Sequence, residues 1–262
     1  MTNDGKTALV TGASSGIGAE LARLHGQRGG DLVLVARRRG RLEALKAELE
    51  QTNQVGVHVI AKDLSESEAP QQIFDEVTSS GIGIDYLINN AGFGNHGLFH
   101  EQDWAKNEAM IRVNVTALAA LTRLFVPGMI ERGHGRILNV ASMAGFLAGP
   151  LQAVYYATKA FVVSLSEGIA NELAGTGVTV TALCPGPTET EFVEHADMEG
   201  VRLFTRSATA REVAEAGYEA MLTGKTIIVP GFMNKLTIHG LLRVSPRKVA
   251  TRISRSLMEK QA

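Results

Sequence analysis

Three residues near the middle of the chain have side chains and a spacing suited to proton transfer: Ser142, Tyr155 and Lys159. A helix that starts near residue 154 places Tyr155 and Lys159 one turn apart on the same face. An ammonium group beside a phenol favours the phenolate, so we expect the pKa of Tyr155 to fall from about 10 towards neutral. Such a phenol donates or accepts a proton at cellular pH. Ser142 follows the apolar segment 136–140, where its hydroxyl would hydrogen-bond a substrate oxygen.

By itself this spacing has other interpretations. Tyr156 lies three residues before Lys159 and therefore shares the helix face with Tyr155. The pair also fits a core tyrosine beside a lysine whose alkyl stem is buried and whose ammonium reaches solvent. The rest of the chain favours the chemical interpretation.

The elements that must position these residues alternate along the chain. Apolar segments at residues 7–10, 32–35, 55–60 and 84–88 predict strands, and each is followed by a segment with helical periodicity. This order predicts an α/β fold with a doubly wound, mostly parallel sheet of about seven strands and helices on both faces. Because the carboxyl ends of such strands share one edge, the residues that follow them should converge there: Gly12, Arg37, Asp63, Asn90, Ser142 and Pro185.

The first strand is followed by a glycine-rich segment. Gly12, Gly16 and Gly18, with Ser14 and Ser15 between them, precede a predicted helix. Glycines let the backbone approach a pyrophosphate, and the helix N-terminus offers unpaired N–H groups and a positive dipole end. An ordinary strand-to-helix turn is the alternative, and the residue types favour dinucleotide binding.

The end of the second strand bears on which dinucleotide binds. Folds specific for NAD carry an acid there that holds the ribose 2′-hydroxyl. This chain has Ala36, followed by Arg37 and Arg38, whose guanidinium groups suit a 2′-phosphate. A solvated basic loop is the alternative. The missing acid makes us favour NADP(H) over NAD(H).

Each of two further polar residues, Asp63 and Asn114, could have one of two alternative roles. Asp63 could accept a hydrogen bond from an adenine amino group, or it could be a turn residue before a capping box from Ser65 to Glu68. Asn114 lies in an apolar helix predicted over residues 104–130 and needs a polar partner if buried. Its alternative role is that of a structural amide bonded to nearby backbone.

Composition narrows the class of protein. The chain has 262 residues, of which 45% are hydrophobic, and a net charge of -1, which argues against nucleic acid as a partner. The one cysteine, Cys184, allows no internal disulfide, and we predict no metal site. No apolar run approaches the roughly 18 residues of a membrane span, and the polar N-terminus is unlike a signal peptide. We therefore expect a cytoplasmic protein.

The C-terminal part differs from the rest in charge. Residues 235–262 carry seven Lys or Arg and one acid. Val249, Ile253 and Leu257 recur every fourth residue, which predicts a basic amphipathic helix. We expect this helix to pack on its own domain or on a sister subunit, and peripheral contact with an anionic membrane is the less favoured alternative. Residues 192–204 lack a clean period and are predicted to form a mobile lid.

Together these motifs resemble the short-chain dehydrogenase/reductase family of the classical type, over roughly residues 6–231. Residues 11–18 resemble its TGxxxGxG cofactor loop, residues 89–92 its NNAG segment, and residues 185–188 its PG turn. The residues that match its catalytic tetrad in order and spacing are Asn114, Ser142, Tyr155 and Lys159. Ala36 and Arg37 resemble the pattern of members that prefer NADP.

The resemblance implies a single Rossmann-type domain at residues 1–231 and a C-terminal helical extension at residues 232–262. Hydride would pass between nicotinamide C4 and a carbonyl carbon, with Tyr155, rather than Tyr156, exchanging the proton. Ser142 would hold the carbonyl oxygen. Lys159 would lower the Tyr155 pKa and bond the nicotinamide ribose, and Asn114 would hold a water that links Lys159 to solvent.

The resemblance and the residue types together define the expected cofactor contacts. These are Gly12, Ser14, Ser15, Gly16, Ile17, Gly18, Arg37, Arg38, Asp63, Leu64, Asn90, Ala91, Gly92, Tyr155, Lys159, Pro185, Gly186 and Thr188. Members of the family usually form homodimers or homotetramers through two long helices, here expected at residues 104–130 and 154–173.

The substrate is expected to be a small apolar carbonyl or alcohol. This follows if the apolar residues that flank the catalytic segments line the pocket: Phe93, Phe146, Leu147, Leu151, Pro187 and Phe192. Some of them would otherwise belong to the core. Two other functions remain open, an NAD-linked alcohol dehydrogenase working oxidatively and a non-catalytic regulator that senses NADP(H).

Overall fold

A seven-stranded parallel sheet lies at the centre of the computed structural model, which describes residues 5–198, 200–201, 207–241 and 245–260. The strands are β1 (Ala8–Thr11), β2 (Leu32–Ala36), β3 (Val57–Ala61), β4 (Tyr86–Asn89), β5 (Gly135–Val140), β6 (Val178–Leu183), β7 (Thr188–Glu189), β8 (Ala208–Thr209) and β9 (Ile227–Ile228). The main sheet has the order β3-β2-β1-β4-β5-β6-β9, and β7 pairs with β8 separately. The predicted doubly wound α/β fold is confirmed.

Helices connect the strands and cover both faces of the sheet. They are α1 (Gly16–Gly26), α2 (Arg39–Asn53), α3 (Ala69–Ser79), α4 (Trp104–Ile111), α5 (Leu118–Glu131), α6 (Ala153–Glu172), α7 (Phe192–His195), α8 (Ala210–Leu222), α9 (Phe232–Leu236) and α10 (Arg247–Met258). Helices α4 and α5 are joined by a π-helical turn (Arg112–Ala117), and a 3-10 turn (Met143–Phe146) follows β5.

The strands are apolar on both faces because each face is covered. Side chains alternate along a strand, so Val10 and Leu34 pack in the layer that includes α1, α2 and α8. Leu9 and Val33 pack on the opposite face, in the layer that includes α3 and α5. Such continuous apolar strands are typical of parallel sheets, which explains why strand positions were predictable from short apolar runs.

The strand order reverses direction between β1 and β4, and the loops after these two strands lie side by side. The Asn90 side-chain amide donates to the carbonyl oxygens of Thr11 at 3.0 Å and Gly12 at 3.2 Å. The Thr11 hydroxyl accepts from the backbone N–H groups of Asn90 and Ala91, both at 3.0 Å. Ligands of open α/β sheets bind in the crevice at such a reversal.

The helix predicted over residues 104–130 spans Trp104–Glu131 and contains the π-helical turn. By length and composition it is the one helix among the described residues that could cross a membrane, although the sequence predicted no such segment. Its side chains Met110, Leu121 and Phe125 are buried against the protein interior, as in the core helix of a globular domain.

Helices α3 and α8 differ in how their N-termini are capped. Helix α8 has a capping box, in which Thr209 and Glu212 form both reciprocal hydrogen bonds. The predicted box from Ser65 to Glu68 is absent, because α3 begins only at Ala69 and has a proline in its first turn. Proline fits that position, where its missing N–H has no helical partner.

The C-terminal helix α10 packs on its own chain. The residues that it buries lie one position after the apolar residues that were predicted to face the protein. Ser254 and Met258 are buried, whereas Val249, Ile253 and Leu257 remain 42% to 55% exposed. The reason is that Ile253 and Leu257 face a cleft instead of a solid core. The predicted domain boundary after residue 231 stays a prediction.

The segment predicted as a lid, residues 192–204, lies partly outside the described residues, namely at residues 199 and 202–204. Within the described part, Ala196, Met198 and Val201 form a small buried cluster with Met258. The Met258 carbonyl also hydrogen-bonds His96 Nε2 at 2.8 Å. The segment after β7 and the C-terminal helix therefore support each other.

We predict that the buried His25 makes the fold sensitive to acid. Its ring bonds the Tyr218 hydroxyl at 2.7 Å and the Lys6 carbonyl at 2.9 Å, and burial lowers its pKa to about 4. Between pH 6.5 and pH 4 the unfolded chain binds more protons at this residue, so the free energy of unfolding should fall as pH falls. We expect a loss of about 2 kcal/mol between pH 7 and pH 5, measured by urea unfolding. The variant His25→Gln should show a smaller pH dependence, and an equal dependence would contradict this assignment.

Candidate active site

A cleft of about 800 Å³ runs along the carboxyl edge of the sheet and brings most of the predicted site residues together. Those that line it are Gly12, Ser14, Ser15, Gly16, Ile17, Arg37, Arg38, Asp63, Leu64, Asn90, Ala91, Gly92, Ser142, Tyr155, Lys159, Pro185, Gly186 and Thr188. Gly18 and Asn114 lie behind its wall, where each contacts a lining residue.

The glycine-rich loop forms one end of the cleft, and its glycines are required by close packing. At Gly12, with φ +65°, a Cβ would lie 2.8 Å from the Asn90 amide nitrogen. At Gly18 a Cβ would collide with the same nitrogen and with the Gly12 carbonyl. The loop therefore leads directly into the N-terminus of α1 with no side chain at Gly16. Backbone N–H groups at this terminus suit an anion such as a pyrophosphate.

Basic side chains border the glycine-rich loop. The Arg38 guanidinium donates to the hydroxyls of Ser14 at 3.1 Å and Ser15 at 2.9 Å. It also forms an ion pair with Glu191 at 2.8 Å. Arg37 is exposed and lines the same end of the cleft. This end is therefore suited to a negatively charged group.

At the end of the cleft near Ser142, the structure distinguishes Tyr155 from Tyr156, which their spacing along the helix could not do. The Ser142 hydroxyl lies near enough to the Tyr155 phenol to lower its pKa, and both side chains line the cleft. The Tyr155 ring lies 5.3 Å from the ring of Phe192. Tyr156 is instead buried with its ring directly against the backbone of Gly149. The geometry thus pairs Tyr155, and not Tyr156, with the serine.

The expected fall in the pKa of Tyr155 is wrong for this structure. Burial raises its pKa, and the nearby Ser142 hydroxyl acts in the opposite direction with a smaller effect. The Lys159 ammonium lies 5.7 Å from the centre of the Tyr155 ring, but it donates to the Val140 carbonyl at 2.8 Å. Burial also lowers the pKa of Lys159 to about 8. Desolvation therefore disfavours the charged form of both groups more than their proximity favours it.

Asn114 has the structural role that was left open as an alternative. Its Oδ1 accepts from the Phe93 N–H at 3.1 Å. Its Nδ2 donates to the Phe93 carbonyl at 3.0 Å and to the Thr158 hydroxyl at 3.1 Å. The amide thus fixes the loop after β4 to helix α6, which carries Tyr155. A water held between Asn114 and Lys159 stays a prediction.

Asp63 is a turn residue in this structure. Its Oδ1 accepts from the Ser65 N–H at 2.9 Å and from the Ser65 hydroxyl at 2.8 Å. It also lines the cleft beside Leu64, so a contact with adenine stays a prediction as well.

The end of the cleft beyond Tyr155 is mostly apolar. Of the residues expected there, Phe93, Leu147, Pro187 and Phe192 do line it. Phe146 and Leu151 pack against core clusters instead, because the chain around them turns towards helix α6 and towards Met198. The sequence analysis missed many lining residues, among them Gln152, Met198, Ile253 and Leu257. Of these four residues, only Ile253 and Leu257 could have been found from the sequence, because they lie on the apolar face of the predicted C-terminal helix.

The chain is similar to known oxidoreductases over most of its length. Residues 6–199 match the model of the short chain dehydrogenase family. A sulfoacetaldehyde reductase from Chromohalobacter salexigens is 38% identical over 218 residues, which cover 79% of this chain and 84% of that protein.

Two solved structures carry the same fold together with a cofactor. A short-chain dehydrogenase from Sphingobium yanoikuyae in complex with NADPH has a TM-score of 0.81 and 32% identity, covering 92% of this chain and 97% of that one. L-Sorbose reductase from Gluconobacter frateurii, complexed with NADPH and L-sorbose, has a TM-score of 0.77 and 28% identity, covering 89% and 98%. With the family model, the sequence likeness and the geometry of the cleft in agreement, the chain belongs to the short-chain dehydrogenase/reductase family of oxidoreductases, of the classical type.

Proposed function

We propose that this oxidoreductase uses NADP(H) to interconvert a carbonyl and an alcohol on an apolar substrate, with Tyr155 as the general acid or base. The observation that carries the proposal is the position of Ser142, Tyr155 and Lys159 together in the cleft, at the junction of two unlike regions. On one side lies the glycine-rich loop with its basic border, and on the other lies an apolar pocket.

The residues of the first region fit a dinucleotide phosphate. The glycine-rich loop has no room for side chains at Gly12 and Gly18, and its N–H groups lie at the start of α1. The 2′-phosphate would lie near Arg37 and Arg38, since no acid stands at the end of β2 to hold a 2′-hydroxyl. The NADPH bound to two structural neighbours supports this choice.

The side chains around Tyr155 supply the proton chemistry. The bound nicotinamide would supply or accept the hydride at the carbonyl carbon. Ser142 would donate a hydrogen bond to the substrate oxygen and stabilise the negative charge that develops on it. Tyr155 would deliver its proton to that oxygen in reduction and remove it in oxidation. Lys159 would place its ammonium group beside the phenolate left by proton transfer, a state in which the two charges attract.

The second region supports an apolar substrate. Phe93, Leu147, Phe192 and Met198 line it, and Ile253 and Leu257 of the C-terminal helix complete its wall. Among its polar groups, the Gln152 amide is already directed at the Met198 sulfur, at 2.9 Å. Apolar side chains around one polar reacting pair favour a ketone or alcohol with an apolar body.

We also propose a homodimer or homotetramer built through the two long helices. Ile130 of α5 and Phe161 of α6 are large apolar side chains exposed at 41% and 39%. Burial of these side chains in a symmetric interface would be favourable. Contact of the basic helix α10 with an anionic membrane remains the less favoured alternative.

Removal of the Tyr155 hydroxyl should abolish proton transfer by this residue without weakening the binding of the cofactor. We predict that Tyr155→Phe reduces turnover by about 10²-fold or more. NADPH binding should be retained. NADPH oxidation followed by absorbance would measure the effect against a carbonyl panel: β-ketoacyl thioesters of increasing chain length, ketosteroids and small diketones.

The matched control is Tyr156→Phe, which removes the same atom from the neighbouring residue. Its turnover should stay near that of the wild type, because the Tyr156 ring packs against Gly149 and its phenol interacts with Ser254, whereas Tyr155 interacts with Ser142. Equal losses in the two variants would contradict the assignment. Retained NADPH binding with no turnover on any carbonyl would instead favour the cofactor-sensing regulator.

Replacement of Arg37 should change the cofactor preference. We predict that Arg37→Asp lowers kcat/KM with NADPH and raises it with NADH, because a carboxylate repels a 2′-phosphate and accepts a hydrogen bond from a 2′-hydroxyl. The ratio of the two kcat/KM values is the measurement. An unchanged ratio would show that Arg37 does not read the 2′ position.

A further inference from the structure

The carboxylate of Glu191 lies between two arginines at the cofactor end of the cleft. Its Oε2 is 2.8 Å from the Arg38 guanidinium, and its Oε1 is 2.5 Å from the Arg41 guanidinium. The hydrogen bond from Arg38, together with that from Arg41, lowers the pKa of Glu191 to about 2. Glu191 is therefore an anion throughout the range of cellular pH.

Arg38 is also the arginine that joins this ion pair to the glycine-rich loop. The same terminal nitrogen contacts the hydroxyls of Ser14 and Ser15. A 2′-phosphate bound beside this loop would need the N–H groups of Arg38 that now face Glu191. Two anions on one guanidinium edge repel each other, so the carboxylate and the phosphate exclude each other.

The residues on either side of Glu191 extend across the cleft. A Cβ at Gly16 would lie 3.0 Å from the Thr190 methyl group, so Thr190 covers the start of α1. The ring of Phe192 lies 5.3 Å from the ring of Tyr155. The ion pair thus holds a three-residue segment, residues 190–192, over both the phosphate cradle and the catalytic phenol.

We propose that Glu191 is an internal competitor of the cofactor: the 2′-phosphate displaces its carboxylate from Arg38 and Arg41. Because Thr190 and Phe192 are packed in the cleft on either side, the displaced carboxylate stays beside the site and continues to compete. The inference rests on NADP(H) being the cofactor. Glu191 then sets the affinity for the phosphorylated cofactor.

The test compares Glu191→Gln with Glu189→Gln, which removes the same charge two residues earlier in β7, where Glu189 is exposed. Isothermal titration calorimetry would measure the Kd of NADPH, of 2′,5′-ADP and of 5′-ADP, which lacks the 2′-phosphate. Exposed ion pairs contribute little each, so we expect Glu191→Gln to tighten NADPH and 2′,5′-ADP by about three- to tenfold. The Kd of 5′-ADP should not change, and Glu189→Gln should resemble the wild type.

The proposal is overturned if Glu191→Gln leaves the Kd of 2′,5′-ADP unchanged or weakens it, or if Glu189→Gln has the same effect. If neither protein binds NADPH or 2′,5′-ADP, the proposed cofactor fails with it. If the wild type and Glu191→Gln both oxidise NADPH and bind it with the same Kd, only the proposed role of Glu191 fails.

Discussion

The close approach of the loops after β1 and β4 is the constraint on which the rest of the site depends. The Asn90 amide occupies the space that side chains at residues 12 and 18 would need, and it bonds the backbone of Thr11 and Gly12. With the two loops fixed together, the N-terminus of α1 points into the crevice where the strand order reverses. Helix dipole and unpaired N–H groups act over a few ångströms, so this geometry is needed for a phosphate site.

A buried polar network joins this crevice to the catalytic helix. Asn89 of β4 donates to Asn139 of β5 at 2.9 Å and to Thr122 of α5 at 3.1 Å. Asn139 in turn donates to Ser166 of α6 at 2.9 Å. A buried polar group without a hydrogen-bond partner lowers the stability of the fold. These hydrogen bonds therefore hold α6 in one position on the sheet.

Lys159 places a buried ammonium group beside Tyr155. Lys159 is only 4% exposed, and the one hydrogen bond of its ammonium group among the described residues is to the Val140 carbonyl. A buried ammonium with a lowered pKa is poised to gain from any negative charge brought close to it. Charge that develops on the neighbouring phenol therefore finds a cation already in place, with no reorganisation of solvent.

The substrate end is built by parts of the chain that are distant in sequence. Residues 192–201 and helix α10 meet around Met258, and together they close the apolar side of the cleft. This explains why the pocket could not be listed from the residues near the catalytic segments alone. Phe146 and Leu151 were expected there on grounds of proximity in sequence, but both are partly buried side chains that pack against neighbouring clusters and do not line the cleft.

The sequence by itself determined the alternation of strands and helices, the convergence of polar residues at one sheet edge, and the family. These features follow from local periodicity, glycine placement and motif spacing, all of which are properties of neighbouring residues. Only the tertiary structure decided that burial raises the Tyr155 pKa, that the Asn114 amide bonds the Phe93 backbone, and that Glu191 pairs with Arg38. Desolvation and contacts between distant segments depend on how the whole chain packs, and no short stretch of sequence records them.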